Sequence, residues 1–175
     1  SLRFNDDDSA YLSRTPSVAG NQKTWTWSGW VKRGNLAYYN SLFSAGPTAT
    51  TRNGLLFWVD DALVIFNQAD WKLVTSQLFR DTSAWYNITI AVDTTQATSS
   101  NRIKMYINGE QVTSFTTEIY PTLNQDCLFN SIIEHRVGED AWGGTSIDGY
   151  LAEVNFVDGQ ALTPSDFGET DEDYG

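Results

Sequence analysis

Apolar and polar residues alternate along most of this chain with a period of two, and no stretch holds a helical period beyond a single turn. Tyr86, Ile88, Ile90 and Val92 alternate with Asn87, Thr89 and Ala91, and after the polar link at 93–101 the pattern resumes at Ile103, Met105 and Ile107. Such runs predict half-buried strands. Residues 23–33, KTWTWSGWVKR, predict a longer strand with Trp25 and Trp27 on one face and Thr24, Thr26 and Ser28 on the other. Gly29 breaks that alternation and marks a bulge or a close approach. Shorter strands are predicted at 2–4, 10–12, 41–44, 71–79 and 131–137. Residues 55–59 and 62–66 flank Asp60-Asp61 and read as a hairpin with an acidic turn. Asn108-Gly109 is the strongest hairpin signal, because both central positions favour a positive φ, and Val112 and Phe115 continue its return strand. Many short strands, regular turn signals and the lack of a longer helix together predict an all-β, antiparallel two-sheet sandwich.

The stretch 147–168, IDGYLAEVNFVDGQALTPSDFG, carries the most information. Tyr150, Ala152, Val154 and Phe156 form an apolar face, with Glu153 and Asn155 opposite. Asp158-Gly159 turns the chain, and Thr163, Pro164 and Asp166 read as the N-cap, first turn and reciprocal cap of a helical stub that Gly168 stops. This wording resembles the closing segment of laminin-G-like, concanavalin A-type jelly rolls, and most closely the version found in bacteriophage structural and tail proteins. SLRF, TWTWSGWVKRG, LFRDTSAWYNITIAVDTTQATSSNRIKMYINGEQV and HRVG extend the resemblance over nearly the whole chain. It implies one jelly-roll sandwich of the concanavalin A-like lectin/glucanase fold over 1–168, with 169–175 as an acidic linker. It also implies a non-catalytic carbohydrate-binding or adhesion module of a phage tail fibre or other virion protein, contacting cell-surface glycans. The alternative is a structural module that binds a neighbouring virion protein and no sugar.

Length and charge narrow the field. The 175 residues suit one domain, and a chain of this size buries about 70% of its unfolded surface without staples. Acidic residues outnumber basic ones 22 to 11, giving a net charge of −11, which disfavours nucleic acid as a partner. Cys127 is alone and forms no internal disulfide. No apolar run approaches ~18 residues, so no membrane insertion is expected. The chain lacks an initiating Met and ends in GETDEDYG, as expected of a piece of a longer, multimeric polypeptide exposed on a virion or outside the cell.

Glycosidases share the fold this resemblance implies, and their carboxylates lie on one strand as Glu-x-Asp-x-x-Glu. Glu169-Thr170-Asp171 has the first spacing, but Tyr174 stands at the third position. Glu153 is a lone strand acid, read as accepting hydrogen bonds from neighbouring loops. His135, the single histidine, has no nucleophile or second ligand in a recognisable motif and reads as a strand residue at a cleft edge. Asn87-Ile88-Thr89 spells a glycosylation acceptor but sits inside a strand. No enzyme is expected.

The loop 138–144, GEDAWGG, resembles the acidic, Gly-Gly-ending loop that holds calcium in pentraxins, though it is two residues shorter. The resemblance puts Asp140 on a ligand position with Glu139 beside it, and Asp60 and Asp61 could complete a Ca²⁺ site from the hairpin tip. The triplet Asp6-Asp7-Asp8 offers a second calcium candidate, with simple solvation as the alternative. Sugar recognition needs a flat aromatic ring with planar hydrogen-bonding groups at its edge. Trp142, flanked by glycines and acids, is the leading candidate, followed by His135, Tyr38, Tyr39, Trp58 and Trp71, for which core packing is the competing role.

Overall fold

Strands with one apolar face bury it by packing two sheets together. In the computed structural model, which describes residues 1–68 and 70–169, thirteen strands do so. They are β1 (Leu2–Phe4), β2 (Leu12–Arg14), β3 (Thr24–Arg33), β4 (Asn40–Thr48), β5 (Thr51–Phe57), β6 (Ala62–Asn67), β7 (Trp71–Leu78), β8 (Tyr86–Asp93), β9 (Ile103–Ile107), β10 (Glu110–Gln111), β11 (Phe115–Ile119), β12 (His135–Val137) and β13 (Gly149–Asp158). One sheet has the order β1-β13-β3-β8-β9-β10 and the other β11-β7-β6-β5-β4-β12-β2, with antiparallel pairing throughout. The architecture is the two-sheet jelly roll expected. Ser99–Asn101 and Pro164–Asp166 are single 3₁₀ turns, and at the second the Thr163 N–H donates to Asp166 Oδ2 at 2.8 Å. No helix among the described residues is long and apolar enough to cross a membrane. Apart from Glu169, the expected linker lies outside the described residues.

One of the two readings of Gly29 is resolved, and three local expectations change. Gly29 marks a close approach, not a bulge: β3 runs in unbroken register with β8, and a Cβ at Gly29 would lie 3.1 Å from Trp27. The bulge is on the facing strand. Ala152 pairs with Trp30 but Asn155 pairs with Ser28, so β13 carries one extra residue, and Glu153 takes φ 50° there. An extra residue reverses the facing of every side chain beyond it in the strand. Tyr150 therefore points outward while Val154 and Phe156 pack on the core, splitting the apolar face read from the sequence, and the Glu153 side chain is left exposed to solvent. Beyond Asn108-Gly109, whose φ values are 50° and 85°, the return strand is only β10; the chain then crosses, and Phe115 starts β11 in the other sheet against β7. The strand expected at 10–12 shifts two residues on to become β2, and that expected at 131–137 contracts to β12.

Trp25 and Trp27 are fully buried, as the alternation of β3 requires. Trp25 meets the Phe129 ring edge-on at 5.1 Å and stacks on Phe156 at 5.5 Å, closing one end of the sandwich. The far end of β3 presents a charge. Arg33 is fully buried; its Nη2 donates to Asp61 Oδ1 at 3.0 Å, its Nη1 donates to the Phe79 carbonyl at 2.6 Å, and its guanidinium covers the Phe57 ring at 4.6 Å. Asp61 also accepts from the Ala37 N–H at 2.9 Å and from Arg80 Nε at 3.1 Å. Burial pushes its carboxyl up, but the Ala37, Arg80 and Arg33 donors outweigh that and hold it below the usual carboxylate range. Asp61 is thus a structural counter-ion at φ 71° in the β5–β6 turn, which overturns its reading as a calcium ligand. Removing one partner of a buried pair strands the other charge, so Asp61→Ala is expected to cost about 3–5 kcal/mol in urea unfolding. Asp60→Ala, one residue away and exposed, is expected to cost about 1 kcal/mol or less.

Candidate functional site

The site is built on the outward face of the seven-stranded sheet. Leu55, Phe57, Leu63, Ile65 and Leu73 turn into the main core, whereas Leu56, Val64, Phe66 and Val74 turn away from it and form a second apolar cluster, with Trp58 packed on its edge. The runs GLLFWV and ALVIF are apolar at every position because both faces of β5 and β6 are covered. Gly54, outward on β5, leaves room for Phe66: a Cβ there would come within 2.7 Å of the ring. Arg52 lies over the same ring at 5.4 Å and forms an ion pair through Nη1 with Asp140.

Asp140 belongs to the Gly-rich loop, which is a short hairpin. Glu139 bridges to Ser146, the Asp140 N–H donates to the Thr145 carbonyl at 3.0 Å, and the Gly143 N–H donates to the Asp140 carbonyl at 2.7 Å. Gly143 and Gly144 hold φ of 89° and 81°, conformations that side chains resist. Asp140 Oδ1 accepts the Trp142 N–H at 2.9 Å, so the carboxylate gripped by Arg52 also sets the position of Trp142, which is 60% exposed. The Ser44 hydroxyl donates to the Glu139 carbonyl at 2.7 Å and fastens the loop to β4.

Between this loop and the β6–β7 turn lies an open cavity of about 560 Å³. Its floor is Leu56, Val64 and Phe66, its walls are Trp142, Tyr39, Trp58 and Ile119, and Arg52, Gln68, Asp70, Lys72 and Thr145 supply polar groups. Tyr39 tilts against Trp58 at 6.4 Å, and Lys72 Nζ rests 4.5 Å from the Trp58 ring centroid. Trp142, Tyr39 and Trp58 are thus brought together. Tyr38 is exposed but lies outside the cavity lining, and Trp71 is a fully buried core residue that also borders the cavity. Arg52, Phe66, Asp70 and Lys72 were missed. The signal for Arg52 was the alternate spacing of Arg52, Gly54, Leu56 and Trp58, which marks the outward face of a strand; Phe66, Asp70 and Lys72, on and beside the neighbouring strands, carry no such signal.

His135 lies elsewhere. It is 8% exposed in β12, and its ring contacts Phe43 at 5.9 Å and Phe129 at 6.3 Å. Its Nε2 accepts the Asn130 N–H at 2.9 Å and its Nδ1 lies 2.8 Å from the Ile133 carbonyl, so Nδ1 carries the proton of a neutral ring. It borders a different cavity, with Leu12, Val18 and Phe156, not the one beside Trp142, which overturns its grouping with the sugar-site aromatics. Burial pushes its pKa below the ordinary 6.5, the Ile133 carbonyl opposes that, and Arg14 adds to it. The folded state therefore prefers the neutral ring. The stability this contributes is complete above the unfolded value and is lost as pH falls through the folded one. Urea stability is expected to decline from about pH 7 to about pH 5, and less so in His135→Gln.

The candidate calcium ligands do not converge. Among the described residues no group of three or more acids, histidines or cysteines is arranged to hold a metal ion. Asp140 is committed to Arg52 and Trp142, Glu139 accepts from Arg136 Nη1 at 2.8 Å, Asp61 is held by Arg33 and Arg80, and Asp60 caps its own turn through the Ala62 N–H at 3.2 Å. In the Asp6–Asp8 turn, Asp8 accepts from Asn5 at 2.8 Å and Asp6 from Asn35 at 3.1 Å. Calcium needs six to eight oxygen ligands, and these residues do not fit it. Arginine takes the place of a metal in ordering the loop. The melting temperature is expected to be equal in excess calcium and in excess EDTA, whereas a calcium site filled 100-fold above its Kd would add about 2.7 kcal/mol.

Two antiparallel sheets in this order, with a loop and an outer sheet face enclosing an open cavity, define a lectin-like jelly roll. The chain belongs to the concanavalin A-like lectin/glucanases superfamily, whose pattern it matches over residues 4–166. No curated protein matches it. Among solved structures it is similar to the heptameric SAP-like pentraxin of Limulus polyphemus, with TM-score 0.59 and 14% identity over 87% of this chain and 71% of that one. It is also similar to domain 4 of the arabinanase AbnA of Geobacillus stearothermophilus, solved with arabinotriose, with TM-score 0.56 and 20% identity over 85% of this chain and 66% of the other. A third similar structure is the CBM40 of a Ruminococcus gnavus sialidase bound to sialyllactose, with TM-score 0.58 and 12% identity, covering 90% and 95% of the two chains. At these identities the likeness is one of fold.

Proposed function

We propose that this domain is a non-catalytic carbohydrate-binding module that seats a glycan in the cavity beneath Trp142. The observation that carries the reading is the cavity itself: an exposed Trp ring fixed by a hydrogen-bonded loop, facing an apolar floor with polar side chains at the rim. That is the combination a pyranose requires, one flat apolar face and a border of hydrogen-bonding groups. The similar structures solved with arabinotriose and sialyllactose support a sugar as the ligand class. Hydrolysis would need two carboxyls across the bond. Of the two acids lining the cavity, Asp140 is buried in its ion pair, which leaves Asp70 without a catalytic partner. The wider setting, a multimeric tail fibre or other virion protein that grips glycans on a host surface, is supported by the segment resemblances. Weak single sites suit such an assembly, because linked copies raise the effective concentration.

A different surface favours a second reading, docking to a neighbouring protein. Trp30, Trp85 and Tyr150 are each more than a third exposed on the outer face of the other sheet, with Trp85 and Tyr150 6.4 Å apart.

The two readings separate on a glycan array probed with wild type, Trp142→Ala and Trp30→Ala. Wild type and Trp30→Ala are expected to bind the same glycans, and Trp142→Ala to lose about tenfold or more with an unchanged melting temperature. Absence of any glycan signal from wild type, together with an association abolished by Trp30→Ala, would establish the second reading instead.

A further inference from the structure

We infer that Lys72 makes the cavity selective for acidic sugars, with the carboxylate of a uronic or nonulosonic acid seated at its ammonium group. This rests on the glycan-binding reading above and names its ligand class. Lys72 pairs with Phe66 on β6 and with Ile119 on β11, so it rises from the outward face between two residues that line the cavity. Its Nζ lies 4.5 Å from the Trp58 ring centroid, and among the described residues no carboxylate comes within ion-pair distance of it.

The other charges of the cavity are accounted for. Arg52 is neutralised by Asp140; Asp70 keeps its charge, but its carboxylate is solvent-exposed, is turned to Gln125 Nε2 at 2.8 Å and is beyond ion-pair distance of Lys72. Lys72 is left as the cavity cation without an ion-pair partner among the described residues, oriented by an aromatic face that attracts it without cancelling its charge. The same contact occupies that face of Trp58. Trp142 and Tyr39 are therefore the rings left for a pyranose to stack on, and Trp58 serves to hold the ammonium. A neutral sugar entering here strips water from the ammonium and returns no charge, whereas a carboxylate replaces the lost hydration with charge-assisted hydrogen bonds.

The test is calorimetry on the chain with four probes: trigalacturonate and its carboxyl-reduced galactotriose, and sialyllactose and lactose. Wild type is expected to bind at least one acidic probe about 10- to 100-fold more tightly than its neutral counterpart, and the arm that responds identifies the acid. Lys72→Met and Lys72→Gln are expected to erase that difference through loss of acidic-probe affinity and, in Lys72→Met, tighter binding of the neutral probes that no longer desolvate an ammonium, and Lys72→Arg to retain most of it. Equal binding of acidic and neutral probes by wild type, or equal weakening of both in Lys72→Met, overturns the inference while glycan binding stands. If wild type binds none of the four and no glycan on the array, the glycan reading falls and the inference falls with it.

Discussion

The buried pair of Arg33 and Asp61 is the constraint on which the rest of the molecule depends. It joins the end of β3 in one sheet to the turn between β5 and β6 in the other, and it includes backbone groups: Arg33 donates to the Phe79 carbonyl and the Phe79 N–H donates to the Asp61 carbonyl at 2.9 Å. Desolvating two charges costs several kcal/mol each, and only a full set of hydrogen bonds offsets it, so the geometry tolerates little drift. A turn fixed in this way fixes the hairpin register, and a one-residue slip would send Leu56, Val64 and Phe66 into the core and Leu55, Leu63 and Ile65 out. The cavity floor exists because that slip is blocked. The pair therefore acts on the site without touching it.

A second cation repeats the theme. Arg52 reaches Asp140 across the outer face and, through the Asp140 carboxylate, holds the backbone of Trp142. A guanidinium attached to the chain does what a divalent ion can do for an acidic loop, but without dependence on ion concentration and without the ligand count calcium demands. Phe66 supports the Arg52 plane from below, and Gly54 makes room for Phe66. The chain of contacts from a missing side chain on β5 to an exposed indole on the loop is continuous, so the loop is ordered by the protein alone.

Much of this fold was legible as period-two patterning. β3, β8, β9 and the Asn108-Gly109 turn lie where the alternation put them, because their faces differ in polarity and the turn residues have few other conformations. β13 was misread at Glu153, since a bulge inserts a residue without altering composition and only the partner strand reveals it. The destination of Phe115 was hidden for a similar reason: local pattern tells which face is apolar, not which sheet the strand joins. Trp142 stood out among glycines, whereas the floor of its cavity did not, because GLLFWV looks the same whether its second face meets a core or a ligand. Arg52 and Asp140 are far apart in the chain, and no local spacing relates them. The same holds for Asp61 and Asp140, whose arginines are distant in the chain, whereas Glu139 pairs with Arg136 three residues away and Asp60 caps its own turn, local commitments that composition alone does not separate from metal ligation.

The charge of the whole and the charge of the cavity pull in different directions, and distance decides between them. A net charge of −11 opposes the approach of any anion, yet at physiological salt charges are screened beyond about 8 Å. Inside the hollow, partly apolar walls lower the local dielectric, so the Lys72 ammonium and the Asp70 carboxylate that share it count for more than the acids spread over the outer surface. Selection there depends on what desolvated groups can replace, not on the average field. Long-range repulsion slows encounter, so the protein's overall acidity governs the association rate, while Lys72 on its Trp58 face governs what remains bound once contact is made.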